Sequence, residues 1–273
     1  MIKTAHLFLP LHNKLIELLR SLDASDWNKP TLAKQWTVKD IASHLLDGCI
    51  RTLSIGRDKH MLVPDRQIDS YQTLVDYLNK LNADWVIATK RLSPAMLIEL
   101  MDSTGKQQAA FFESEDMHAD ALFSVAWAGE EKSKNWFHIA REYTEKWHHQ
   151  QQIREATGKP GIMTKEFYYP LMDTFIRGLP HTYRNTLAEN GTAIKVTIDT
   201  EIGGHWYLVH NNAKWEIAEA VPSDIVATIV IPPGIAWKLF TKGITYNEAA
   251  KQVTVTGNEQ LANVTLTLLA VMA

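Results

Sequence analysis

A chain of 273 residues, 45% of them hydrophobic, can bury a large core and is long enough to divide into two domains. Lys plus Arg number 28 and Asp plus Glu 31, a net charge of −3; with no long basic run to neutralise phosphates, nucleic acid is excluded as an expected partner. The single cysteine, Cys49, excludes an internal disulfide and suits a reducing compartment, and with no signal-like N-terminus or ~20-residue apolar run, a soluble cytoplasmic protein without a membrane partner is expected.

Leu11, Leu15, Leu18, Leu19 and Leu22 share one stripe and predict a first helix over residues 11–22. Pro10 either sits in its first turn or kinks an earlier start near Thr4. Residues 23–36 hold Trp27 and Trp36 among turn formers, as aromatic plugs on an irregular connection. A second helix opens at Thr37, whose hydroxyl caps free amides while Asp40 adds an acid at the positive end. Ile41, His44 and Leu45 share its inward face. After a loop with Gly56 and Pro64, the residues Tyr71, Leu74, Leu78, Leu81, Trp85, Ala88 and Leu92 form the seam of a third helix, capped by Asp69. Ser93 and Pro94 start a fourth, with Leu97, Leu100 and Met101 inward and Gly105 as a break before residues 107–113. Residues 114–132 read as irregular.

Residues 133–157 then read as one long helix, because Trp136, Ile139, Ala140, Tyr143 and Trp147 recur at steps of three and four. Ser133 is the expected N-cap, and Gly158 followed by Pro160 supplies the stop. At least four long helices in the first 160 residues predict a helical bundle. Beyond that point the period changes. Ile194, Val196 and Ile198 alternate with polar residues, and apolar runs at 206–209, 215–218 and 225–231 follow between turn signals at Gly203-Gly204 and Asn211-Asn212, which predicts antiparallel strands. A helix at 235–241, a strand at 253–256 and a final helix at 259–271 complete the pattern, with one more helix expected within 174–189. The expected fold class is α plus α+β: a helical bundle over residues 1–160 and a smaller α+β domain over residues 161–273, divided near 158–166 where Gly158, Pro160 and Gly161 cluster.

Glu145 and His149 are four residues apart on the long helix and project from one face, as two ligands of one metal ion do. His44 is the best candidate for a third ligand; taken alone, a histidine on an apolar face equally reads as a hydrogen-bonded core residue. His148 competes with His149 for the role. Asp47 is placed to orient His44, or is a solvated helix charge. Arg141, four residues before Glu145, could pair with it and compete with a metal. Cys49 reads as a small buried apolar group. His118, His138, His205 and His210 have no partner at ligand spacing, and residues 161–273 show no cluster of acid, base or nucleophile, so no catalytic residue is assigned.

Three separated stretches, the segment around His44 (residues 36–48), Val125-Ala126-Trp127-Ala128-Gly129-Glu130, and the run holding Glu145, Trp147 and His149, together resemble the maleylpyruvate isomerase-like family. That resemblance covers roughly residues 1–160 and implies a DinB-like four-helix bundle. Residues 161–273 resemble, more loosely, the sterol-carrier-like domain that often follows it. The resemblance implies a divalent metal, zinc, on His44, Glu145 and His149, with an open fourth position of the catalytic kind. It also implies a low-molecular-weight thiol such as mycothiol as cosubstrate, adding to a small electrophilic substrate in an isomerase or transferase reaction. Two classes stay open on this reading: that thiol-using enzyme, with a metal-dependent hydrolase as its variant, and a non-enzymatic metal-stabilised protein that binds a small molecule or lipid. The sequence leaves the oligomeric state open.

Overall fold

The computed structural model describes residues 1–272; Ala273, the last residue of the expected second domain, lies outside the described residues. A 3-10 turn at Ala5–Leu7 leads into α1 (Phe8–Arg20), with Pro10 in its first turn where a missing N–H costs nothing. Then follow α2 (Val38–Thr52), continued by a π-helical turn at Leu53–Arg57, α3 (Tyr71–Thr89), α4 (Pro94–Ser114) and α5 (Asn135–Thr157). Here α2 packs on α4 and α5, α1 packs on the same two helices, and α3 lies outside against α2. Leu15, Leu19, Ile41, Leu46, Leu97 and Met101 fill the centre of this bundle.

Several local expectations are corrected. The cap of α3 is Ser70 in a reciprocal box with Thr73, not Asp69. Because α3 is the outer helix, its expected seam is only half-buried, and Tyr71 and Ala88 are exposed. Gly105 does not break α4, which runs unbroken; a Cβ there would meet the His12 ring at 2.1 Å, so the glycine admits a close approach of α1. Ser133 does not cap α5, which begins after Lys134 without a side-chain cap. The amides of Asn135 and Trp136 instead donate to the carbonyls of Ala119 and Met117 at 3.0 and 3.1 Å, so the preceding loop satisfies the free N–H groups. Ser133 Oγ accepts from the Val125 amide at 2.9 Å and bonds Glu130. Gly158 ends α5 in the left-handed region, φ 67°.

Two helices rather than one precede the sheet: α6 (Lys165–Ile176) and α7 (Leu179–Thr182). The strands are β1 (Ala193–Ile198), β2 (Gly204–Asn211), β3 (Lys214–Ile217), β4 (Ala227–Ile231) and β5 (Thr254–Gly257), with order β3-β2-β1-β4-β5. The expectation of antiparallel strands fails at one pair. After the β1-β2-β3 meander the chain crosses to the free edge of β1 and enters in the same direction, so β1 and β4 are parallel, Val196 opposite Ile229. Between β4 and β5 lie α8 (Pro233–Phe240) and the unforeseen α9 (Tyr246–Ala250). The final helix, α10, covers only Glu259–Val264, followed by a 3-10 turn. The tail leaves the helix because the Ala270 amide donates to the Phe240 carbonyl at 2.9 Å, with Leu268 and Ala270 buried.

The fold class is therefore helical, then mixed α+β. One apolar core joins the two parts: Phe8, Tyr143 and Trp147 belong to the same cluster as Tyr168, Ile229 and Trp237. Trp147, fully buried, meets the rings of Tyr168 and Trp237 edge-on at 5.6 and 5.9 Å. Among the described residues no helix is long and apolar enough to cross a membrane.

Candidate metal centre

Thr37 and Asp40 form a reciprocal capping box that fixes the start of α2, and with it the direction in which His44, two turns on, projects. On α5, Glu145 and His149 share a face one turn apart, with His149 Nε2 3.6 Å from Glu145 Oε2. Packing of α2 on α5 brings the three together: one ligand atom from each of His44, Glu145 and His149 lies within 4.8 Å of the other two. The His44 and His149 rings meet edge-on at 4.7 Å. Ligands about 2.1 Å from a zinc ion stand roughly 3.4 Å apart in a tetrahedron, so closing on an ion asks each side chain to move by about an ångström.

The protonation states suit a cation. Burial pushes the His44 pKa well below the usual imidazole value, and His149 adds to this. Burial alone would raise the Glu145 carboxyl, but His148 and His149 beside it hold the pKa well below the usual carboxylate range. The site thus offers a neutral imidazole on His44 and an ionised carboxylate on Glu145, the forms in which these groups bind metal. His149 Nδ1 donates to Gln152 Oε1 at 2.9 Å, which turns Nε2 toward Glu145. His44 Nδ1 is buried without a hydrogen-bond partner. The Glu145 side chain keeps 29% exposure, so its carboxylate reaches the surface.

Of the sequence alternatives, His148 turns away. Its Nδ1 donates to the Thr144 carbonyl at 2.8 Å, and burial, then His149, lowers its pKa to about 4. Asp47 does not orient His44, whose Nδ1 has no hydrogen-bond partner; it faces Arg51 at 3.9 Å, which favours the alternative reading of a helix charge. Arg141 binds Glu142 and His138 Nδ1 rather than Glu145, so it does not compete for that carboxylate. Cys49 is buried as expected, yet is not an isolated apolar group, since its thiol donates to Gln108 Oε1 at 3.3 Å. Two neighbours escaped the sequence reading. Gln152 was findable at three residues past His149. Trp36, expected as a plug, lies with its ring 4.8 Å from His44 and 6.1 Å from His149 and walls the cluster, a placement that only the fold reveals.

The family model described as mycothiol maleylpyruvate isomerase N-terminal domain matches residues 8–154. Among solved structures, the crystal structure of the mycothiol-dependent maleylpyruvate isomerase superposes with a TM-score of 0.55 at 10% identity, covering 93% of this chain and 92% of that one. A histidine-to-alanine mutant of the mycothiol-dependent maleylpyruvate isomerase gives 0.53 at 11% identity with the same coverage. At such identity the likeness speaks for the fold alone. No curated protein matches the chain. With more than half its residues matched by the family model, this chain belongs to the mycothiol maleylpyruvate isomerase N-terminal domain family.

Proposed function

We propose that His44, Glu145 and His149 hold a divalent ion, zinc, and that the protein is a thiol-dependent isomerase or transferase acting on a small electrophilic substrate in the cytoplasm. The observation that carries this reading is the convergence of the three side chains on the facing sides of α2 and α5. Three protein ligands leave a coordination position free, as catalytic rather than closed structural zinc sites do. A zinc ion there would act as a Lewis acid, favouring the ionised form of a low-molecular-weight thiol of the mycothiol kind. The chain's own residues do the rest. Gln152 holds the His149 tautomer, Glu145 brings the one negative charge, and the Trp36 ring limits water on one side. We assign residues 161–273, proposed as a separate sterol-carrier-like domain, the role of backing α5 through Tyr168 and Trp237 rather than of chemistry.

Metal analysis of the purified protein should find about one divalent ion per chain, lost in His44→Ala and in His149→Ala, because two remaining ligands seldom hold zinc tightly. Full occupancy of either mutant against a mild chelator would remove the ligand assignment. In cobalt-substituted protein, adding mycothiol, glutathione, bacillithiol or cysteine in turn should produce a thiolate charge-transfer band with at least one of them. A metal-loaded protein that answers to none of them would instead support a hydrolase or a binding protein.

A further inference from the structure

Apart from the metal cluster, the bundle buries a second reactive pair. Cys49 on α2 and Lys146 on α5 are 1% and 4% exposed, and the lysine Nζ stands 3.7 Å from the cysteine Sγ. Both donate to one acceptor, Gln108 Oε1 on α4, each at 3.3 Å. Gln108 is itself held by its Nε2, which donates to Thr52 Oγ1 at 3.1 Å and to the Gly48 carbonyl at 3.4 Å. Lysine is seldom buried without a paired counter-charge, yet among the described residues no hydrogen bond joins Lys146 Nζ to a carboxylate; its partners are the amide oxygen and the thiol. Its other neighbour, His12 on α1, close enough for Lys146 to act on its charge, is fully buried with neither ring nitrogen hydrogen-bonded and with Asp102 Oδ1 4.0 Å from its Nε2. Two donors therefore share one neutral acceptor, and neither is hydrogen-bonded to a carboxylate.

We propose that Cys49 and Lys146 are a modification site, at which dioxygen joins them through an S–O–N bridge that fastens α2 to α5. This sequence has one cysteine, so no disulfide can form within it, and the Lys146 amine lies 3.7 Å from the Cys49 sulfur. At 3.7 Å the two atoms are too far apart for a direct S–N bond without a large shift, whereas an inserted oxygen roughly halves the shift required. The thiol and amine react with one dioxygen to give the bridge and one water. The S–H bond, one N–H bond and the O–O bond break, and S–O and O–N bonds form. One oxygen atom stays in the bridge, and the other leaves as water with the two hydrogens. Sulfur and nitrogen each give up two electrons, and dioxygen takes all four. The remaining N–H can still donate to Gln108 Oε1. The bridge ties the helix of His44 to the helix of Glu145 and His149, but its formation does not depend on a metal there.

Intact-mass measurement of the full chain held in oxygenated buffer tests this. The expected result is a gain of one oxygen less two hydrogens, a cross-linked peptide containing Cys49 and Lys146, and return to the starting mass with excess dithiothreitol. In Lys146→Arg the cross-link should vanish while the Cys49 thiol stays titratable after unfolding. A wild-type thiol that remains fully titratable, oxygen added to Cys49 alone, or loss of two hydrogens without a gain of oxygen would each overturn the proposal.

Discussion

His12 sits on α1 against the backbone of Gly105, and burial, reinforced by Lys146, pushes its pKa down to about 3. An unfolded chain, with a histidine pKa near 6.5, binds a proton that the folded chain refuses. The stability this group contributes is therefore whole above about pH 6.5, declines as pH falls, and is exhausted near pH 3. His138 and His148, each lowered to about 4 chiefly by burial, act with the same sign. Urea unfolding should show stability falling between pH 6.5 and about 5, before the lowered carboxyls of Glu145 and Asp102 add their own loss, with a slope of at most about 1.4 kcal/mol per pH unit for each histidine. His12→Asn should make the slope shallower; an unchanged slope would assign the effect to the other histidines. Nothing in the sequence singled out His12, since burial on α1 depends on a glycine 93 positions away on α4. Glu145 and His149 were legible because helical spacing alone puts them on one face. His149 was preferred over His148 only through the family resemblance; in the structure the two differ in their partners, the Thr144 carbonyl for His148 and the Gln152 side chain for His149.

Among the elements, α4 yields the clearest test. Alanine is the better helix former by about 1 kcal/mol, so on propensity Gly105→Ala should stabilise. The structure reverses that sign: the added methyl would lie 2.1 Å from the His12 ring, and forcing α1 away costs about 1–3 kcal/mol. The urea midpoint of Gly105→Ala should fall, and a rise would show that the ring can step aside. The same element explains a limit of reading helices from sequence. A glycine amid a long pattern reads as a break, and only the neighbouring helix reveals it as a contact. Caps behaved similarly. Thr37 with Asp40 was legible because both partners are local, whereas the start of α5 is completed by the carbonyls of Met117 and Ala119, which the sequence does not mark as acceptors. In the sheet, alternation located the strands but not the parallel β1–β4 pair, since period 2 carries no direction.

For the molecule as a whole, two further helices, α6 and α7, follow residue 160 before the sheet begins at Ala193, and we propose residues 1–160 and 161–273 as the two units of the chain. Whether the first can stand alone is a separate matter of surface. Tyr143 and Trp147 on α5 are fully buried, and what covers them includes residues beyond 160: the Tyr143 hydroxyl donates to the Phe167 carbonyl at 2.7 Å, and Trp147 packs on Tyr168 and Trp237. Lys238 also pairs with Glu155 at 2.8 Å. Aromatic side chains bury about 150–250 Å² each, so cutting at 160 would expose an apolar patch comparable to the largest on ordinary monomers, about 300–600 Å². A fragment of residues 1–160 should therefore express poorly or self-associate, unlike the full chain. If soluble, it should unfold at a lower urea midpoint than the whole protein. Size-exclusion chromatography and urea titration of both decide this. A monomeric fragment as stable as the whole would mean that α6 and α8 merely lie against the bundle, and the covering of α5 would need another explanation.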